Sequence, residues 1–471
     1  MGADLFSLLV QSGNSLGAQS AAMSVAGNNV ANANTPGYSR QIANLAANPA
    51  VSALGAGGVG TGVSLVNITQ ARDQFVERQM PNALAAQSRS QTESDALSAL
   101  TALNPDLSGG LPTEIGAFYS SLQTWSQNPG DPSLRQNVLG SAQALATSFN
   151  QTASAISSAR TGLDAAIQGK VTEVNAAANA LADLNKQIQI SKSAGGESND
   201  LLDARQTAVD NLATLTGATP YTDGAGNISM ALPGGTALVV GGSAGQFSAV
   251  PDPSNDGLLK LQLNRADGSP PTDWNGSSLG GTMGGLFGAR DGALKTAADS
   301  VDSLAFDMGT ALNTVQQNGF DMDGNAGVAI FQLGATSSGA AAQISVNPAV
   351  AANGRLLAAA TTTPAASGDN TNALAMIGTQ SQALPSGSNP VATIQTIVTA
   401  FGTSSAQAQA LASHDGAMAS NLQTLRDSTS GVSIDEEMVN LTKAQKAYEA
   451  IAKVIATASQ MMDTLMSIAG T

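Results

Sequence analysis

The chain has 471 residues and a formal charge of −15, so it lacks the basic clusters that nucleic acid or an anionic membrane attracts, and neither is expected as a partner. It holds no cysteine, which rules out disulfides and thiolate chemistry. Aromatics make up 3% and charged residues 11%. That favours long helices packed through Ala, Ser and Gly over a dense aromatic core, in a chain long enough for two to four domains.

The first segment is helical in pattern: Leu5, Leu8, Leu16, Met23, Ala26 and Val30 fall close to one face. No Lys or Arg precedes Arg40, so a secretory signal is not expected here. In NNVANANTPGYSRQ (28–41), Pro36 disfavours helix at Thr35 and Gly37 suits the positive φ of a type II turn, so the helix stops. Asn28, Asn29, Asn32 and Asn34 can bond backbone groups that the ending helix leaves free. From Ser39 to about Asp73 the chain reads as extended, punctuated by Gly55, Gly57, Gly58, Gly60 and Gly62, with VSLVNITQ alternating like a strand.

Helical pattern covers 75–103 and 111–127, and Asp131-Pro132 marks an N-cap followed by proline at the first helical position. Leu163, Ile167, Val171, Val174, Ala178, Leu181, Asn185 and Ile188 then repeat as in a bundle or coiled coil, with Gly162 and Gly169 as points of interruption. A helix is expected over 199–216, with Asp200 and Asp203 in its first turn. From Thr219 to Leu279 short apolar runs alternate with DGAGN, PGG and PDPSND, which predicts a small inserted β domain. Helical pattern returns over 286–317 and 391–427, with a hairpin near 328–346 between them and an Ala/Thr/Ser-rich stretch of undecided order at 350–390. In the last segment Ser433 and Glu436 form a capping box, with Asp435, Glu436 and Glu437 at the positive helix end. The helix that follows carries Ile434, Met438, Leu441, Tyr448, Ala452, Ile455, Met462 and Met466, broadened by Ile451, Val454, Leu465 and Ile468. Two amphipathic ends suit each other, although periodicity alone favours each docking on its own domain.

The string ANANTPGYSRQ resembles the signature of the bacterial flagellar rod, hook and hook-associated proteins. SGVSIDEE followed by NLTKAQKAYEA is similar to the hook-associated protein 1 branch, the first junction between hook and filament, and SSLGGTMGGLFGARD, NGFDMDGNAG and GDNTNALAMIG agree. The family's Ile-x-Arg finds Gln70 where Arg is common. The resemblance covers both ends and much of the second half. It implies a structural adaptor that self-assembles as a ring between the hook protein and the next hook-associated protein. It also implies export through the flagellar type III apparatus without a cleaved signal, an export chaperone on the C-terminal helix, and an extracellular location at the hook–filament junction.

The expected architecture is mainly α and nested. Residues 1–40 and 431–471 would pair as a coiled-coil-like axial core, 41–218 and 280–430 would form a long-helix bundle with a β-hairpin near 41–73, and 219–279 would be a solvent-facing β insert. Assembly contacts are expected at Leu5, Leu8, Leu16, Met23, Val30, Asn32, Thr35, Pro36, Gly37 and Tyr38, and at Ile434, Glu436, Glu437, Met438, Leu441, Tyr448, Ile455, Met462, Leu465 and Met466. No catalytic, metal or cofactor site is expected. His414 is the sole histidine and no nucleophile-elbow string accompanies it. Asp321, Asp323 and Asn325 begin like a calcium loop, but Ala326 and Gln332 stand where Gly and Glu are required, so a turn is expected. The glycines from 280 to 288 lack the Gly-Lys-Ser/Thr of a phosphate loop and instead suit close packing or a bend. The rival readings are a hook or distal rod subunit and, further off, an extracellular ligand-binding adhesin or hydrolase whose insert offers only Tyr221, Phe247 and Trp274 as large aromatics.

Overall fold

A computed structural model describes residues 2–53, 56–100, 110–196, 198–363, 368–385 and 387–469. Gly55 and the end of the helical stretch at 101–103 fall outside these. The chain begins with helix α1 (Gly2–Ala31), followed by strands β1 (Gln41–Ala47), β2 (Val51–Ala53), β3 (Ala56–Val59) and β4 (Val63–Gln70). Helices α2 (Gln74–Ser98), α3 (Leu111–Gln127), α4 (Pro132–Ser193) and α5 (Asn199–Thr216) come next. The insert holds β5 (Thr219–Thr222), β6 (Ile228–Ala231), β7 (Ala237–Val240), β8 (Ser243–Ala244), β9 (Gln246–Pro251), β10 (Leu259–Asn264) and β11 (Thr272–Trp274). Helix α6 (Gly281–Gly288) runs through a π-helical turn, Ala289–Ala293, into α7 (Leu294–Asn318). Short elements follow: β12 (Phe331–Gln332), α8 (Ala340–Gln343), β13 (Ser345–Val346), α9 (Pro348–Ala352) and α10 (Thr371–Gly378). The chain closes with α11 (Pro390–Ser430) and α12 (Ile434–Ala469).

Local sequence explains the helix starts. Asp73, Asp131 and Asn389 each accept a backbone N–H from the first turn of α2, α4 and α11, and Pro132 and Pro390 take first helical positions where no N–H is needed. The 62-residue α4 is about 93 Å long at the usual rise per residue. It runs through Gly162 and Gly169 without a break, contrary to the expectation from those glycines. Each costs only about 1 kcal/mol relative to Ala in a helix, and buried residues on either side, Ile156 and Ile167 among them, hold the helix to its neighbours. The helix over 199–216 forms as expected, and the hairpin near 328–346 is the β12–β13 pair with α8 in its connection. The stretch at 350–390 contains the end of α9 and all of α10.

The apolar residues sort into two cores. The inner core joins α3, the first half of α4, α7, the β12–β13 region and the start of α11, around Phe118, Trp125, Phe149, Leu304 and Phe331. The outer core joins the second half of α4, α5, α6 and the insert, through Val174, Leu181, Leu212, Met230, Leu261 and Phe287. The insert forms a four-stranded sheet, β5-β6-β7-β8, and a three-stranded sheet, β11-β10-β9. Its buried residues belong to the same cluster as those of α4, α5 and α6, and its strands β7 to β10 pack on α4. The glycine-rich α6 lies against α2, where a Cβ on Gly285 would stand 2.6 Å from the Arg89 carbonyl oxygen, so only glycine permits the approach.

The two ends meet. α1 packs along α12, while β1 and β4 form an antiparallel hairpin beside α1, with Gln41 opposite Gln70 and a bulge at Asn44/Leu45. The buried face of α1 is built from small groups, Ser12, Ser15, Ala18 and Ala26 with Val25, and α12 answers with Ala444 and Ala458.

Candidate assembly site

The N-terminal string folds as a turn that gathers four chain segments. Tyr38 N–H donates to the Thr35 carbonyl at 3.2 Å, closing the expected type II turn with Pro36 and Gly37 at its centre. Gly37 takes φ +80°, and a Cβ there would lie 2.7 Å from Thr207 Oγ1 on α5. Asn32 and Thr35 bond to each other across the helix end, Thr35 Oγ1 donating to Asn32 Oδ1 at 3.2 Å.

At the centre is Asn29, fully buried. Its Nδ2 donates to the Gln41 carbonyl at 2.8 Å and to Glu437 Oε2 at 3.0 Å. Its Oδ1 accepts from Tyr38 Oη at 2.8 Å and from Gln41 N–H at 2.9 Å. An amide offers two donors and two acceptor lone pairs, so this side chain is saturated. Glu437, 2% exposed, also receives Arg40 Nε at 2.8 Å, while Arg40 reaches Glu436 at 3.1 Å. The Arg40 N–H donates to the Ser430 carbonyl at 2.9 Å, and its own carbonyl accepts from Ala71 N–H at 2.8 Å. One residue thus ties β1, the end of α11, the start of α12 and the chain beyond β4.

α5 enters through Asp203, whose Oδ2 accepts Ser39 N–H at 3.2 Å and whose Oδ1 pairs with Arg72 at 2.5 Å. Lower on the same face Asp210 pairs with Arg426 of α11 at 3.0 Å. Burial is the main cause that pushes the Tyr38 phenol up to about 12, with Asp203, Asp200 and Glu437 adding to it, which keeps the hydroxyl protonated to donate to Asn29. Burial likewise raises the Glu77 and Asp210 carboxyls above their ordinary range, against the opposing pull of Arg72 and Arg426. A groove of about 990 Å³ opens between the turn, α5, α11 and the start of α12, lined by Pro36, Tyr38, Arg40, Thr207, Arg426 and Glu436.

The structure divides the expected contact residues. Along α12, Glu437, Leu441, Ala444, Tyr448, Ile451, Ile455, Ala458, Met462 and Leu465, at alternating spacings of four and three, are all buried or half-buried. Ile434, Met438 and Met466, read as part of that stripe, are instead 48%, 49% and 71% exposed. Val454, Met461 and Ile468, seven residues apart, make an uncovered apolar stripe on one side of the covered one, while Met438 and Met466 flank it on the other side and Ile434 precedes Leu441 by one heptad at the helix start. The broad run of apolar positions is two stripes, because one helix can turn only one face to α1. On α1, Leu5, Leu8, Leu16, Met23 and Val30 are half-buried, and the fully covered positions are the smaller ones between them. Asn32 and Tyr38 are half-buried, while Thr35, Pro36, Gly37 and Glu436 are exposed. Only half of the capping box forms: Ser433 Oγ accepts Glu436 N–H at 3.4 Å, but the Glu436 carboxylate turns to Arg40.

The sequence reading missed Asn29 as a hub, though its seven-residue spacing from Ala22 and Ser15 put it in phase with the covered face. His414 lies on the outer face of α11, 71% exposed, beside Asp415. Asp321 Oδ1 accepts Asp323 N–H at 2.8 Å and Asn325 N–H at 2.9 Å, the turn expected of that string.

Known proteins are similar to this chain. A family model described as the flagellar hook-associated protein FlgK helical domain matches residues 97–331. Models of the flagellar basal body rod FlgEFG protein C-terminal and of the flagella basal body rod protein match 426–468 and 11–38, the two helices that pair here. The flagellar hook-associated protein 1 of Escherichia coli is 26% identical across 98% of this chain and 100% of its own length, and that of Bacillus subtilis is 28% identical across 96% of each. This chain belongs to the flagellar hook-associated protein 1 family. The Salmonella typhimurium member is 31% identical over 334 residues, which span 70% of this chain and 60% of that protein. In fold, the chain is similar to the flagellar hook junction protein FlgK from Burkholderia pseudomallei, with a TM-score of 0.67 and 19% identity over 75% of this chain and 100% of that one.

Proposed function

We propose that this chain is a non-catalytic structural adaptor of the bacterial flagellum. It self-assembles as the first ring between hook and filament, with the hook protein on one side and the next hook-associated protein on the other. The observation that carries the reading is the paired ends: α1 covers one stripe of α12, and a second stripe through Val454, Met461 and Ile468 lies uncovered. A neighbouring copy in the ring covers that stripe, and each large apolar side chain fully removed from water there contributes about 1.5 to 3 kcal/mol. In the nested arrangement, residues 1–40 with 431–471 lie along the axis, the helical bundle lies outside them, and the 219–279 insert faces solvent. Neither nucleic acid nor membrane takes part, and among the described residues no helix is long and apolar enough to cross a membrane. The chain leaves the cell through the flagellar type III apparatus, with its C-terminal helix held beforehand by an export chaperone, and ends at the extracellular hook–filament junction.

Complementation tests this. In a flagellated host lacking its own junction protein, supplying this chain restores filaments above the hook, whereas Leu441→Asp, on the covered stripe, abolishes them without unfolding the bundle. Completed hooks that shed filament subunit into the medium despite good export of the unaltered chain would overturn the junction reading. Normal motility with Leu441→Asp would overturn the seam.

A further inference from the structure

The two hydrophobic cores meet at a layer of charge. Two helical runs cross from one core to the other: α4, with Ile156 in the inner core and Ile167 in the outer, and the α6–α7 run, with Phe287 in the outer and Leu294 in the inner. Between those residues each run presents ionic groups, Arg160 and Asp164 on α4, Arg290 and Asp291 in the π-helical turn. Arg290 is 1% exposed, grips Asp291 through Nε and Nη2 at 2.8 and 2.7 Å, pairs with Asp164, and lays its guanidinium carbon 4.6 Å from the centre of the Phe287 ring. Arg160 Nε donates to the Arg290 carbonyl at 3.3 Å, so the two runs are bonded directly.

The β9–β10 loop closes this layer from outside. Arg160 donates to Asn255 Oδ1 at 2.6 Å and to Asp256 Oδ2 at 2.7 Å, Asn255 Nδ2 donates to Asp291 Oδ1 at 2.8 Å, and Leu259 N–H donates to Asp164 Oδ1 at 2.9 Å. Asp256 has φ 54°, the one described non-glycine residue with positive φ, a turn conformation that Asp adopts more readily than most residues.

We infer that this layer is a hinge between the inner and outer units, latched by Asn255 and Asp256. Polar bonds can be exchanged with water as the two runs bend, whereas bending within either core would open close-packed hydrocarbon. The backbone suits the motion. The π-helical turn has slack that an α-helix lacks, and Gly162 stands on α4 beside the layer with open space where a Cβ would be. Leu163, packed against both cores, is the pivot. The Asp256 side chain is 68% exposed, so it can leave Arg160 for water.

The absence of cysteine makes the test direct. Nitroxide labels are attached at Ser120→Cys on α3 and Ala180→Cys on the outer half of α4, both exposed, and their separation is measured by pulsed electron spin resonance. Adding Asn255→Ala with Asp256→Ala is expected to at least double the width of the distance distribution while the far-ultraviolet circular dichroism stays unchanged. Raising the salt to about 1 M on the labelled chain without those two changes, which screens the Arg160–Asp256 pair, is expected to broaden it in the same sense. An unchanged width in the folded double variant overturns the latch. Should that variant fail to fold, an unchanged width at high salt overturns it instead.

Discussion

Replacing Asn29 with Ala removes all four hydrogen bonds of the hub at once. The Tyr38 side chain is half-buried, so its hydroxyl can turn toward water, and Glu437 keeps Arg40. The Gln41 N–H and carbonyl, in a residue only 8% exposed, lose their partner. Leaving two buried backbone groups unpaired at about 1 to 3 kcal/mol each gives about 2 to 6 kcal/mol, a large value for a single substitution. The loss falls on the docking of α1 and α12, not on the two cores, so hydrogen exchange followed by mass spectrometry is the assay. Amides in the first turns of α12 and the last turns of α1 should exchange at least about tenfold faster, since about 1.4 kcal/mol is a factor of ten, while those of α3 and α7 are unchanged. Asn29→Asp sharpens the test because it keeps the shape and sets a second carboxylate against Glu437. Its proton is held more tightly in the folded state than in the unfolded one. The loss is therefore full at neutral pH and recovers as acidification restores a donor. A change below about threefold in α12 for Asn29→Ala, or an Asp variant insensitive to acid, would refute the hub.

Three other outcomes follow from the geometry. Gly37→Ala forces a left-handed backbone state and a contact with Thr207, so it should cost about 1 to 3 kcal/mol, read in a urea melt, with Thr207→Ala in the same chain recovering part of it. Glu77 has a folded pKa raised chiefly by burial, so its contribution is most favourable below the ordinary carboxylate range and is lost as pH rises through the folded value; Glu77→Gln should raise the thermal midpoint at pH 7 and leave it unchanged near pH 3. Excising 219–279 with a short linker should expose the outer halves of α4 and α5 and make proteolysis cut α4 beyond Leu163 while the α3–α7 core survives; resistance of α4 along its whole length would show that the insert is not needed to cover it.

Features carried by a few adjacent residues were legible in the sequence. Thr35-Pro36-Gly37-Tyr38 dictates its turn, and Asp131-Pro132 announces α4, because caps and turns depend on groups three or four residues apart. Whatever depends on distant partners was not. Ser433 and Glu436 spell a full capping box, yet the Glu436 carboxylate prefers a guanidinium that the fold brings from nearly 400 residues away. Gly162 and Gly169 are breakers on a local scale, and only the two cores gripping α4 from either side explain why it continues. The apolar breadth of α12 announced contact but could not say which stripe α1 would take, because a heptad pattern fixes the face relative to itself and not to its partner.

That limit is itself informative about the terminal pair. Small residues such as Ala18 and Ala26 on α1 and Ala444 and Ala458 on α12 bring the helices close, and a slip of one heptad along α12 would set Ile451 and Leu465 where Ala444 and Ala458 stand. Register also comes from polar groups that tolerate no slip. Asn29 and Glu437 are such groups, because moving either by one turn would bury an amide and a carboxylate without partners, which costs several times what the small side chains gain. Buried polar groups at the seam thus set where α12 sits on α1, and the turn at Gly37, against Thr207, ties the chain after α1 to α5. The uncovered stripe through Val454, Met461 and Ile468 is then held in place against α1, as the proposed contact with a neighbouring copy would require.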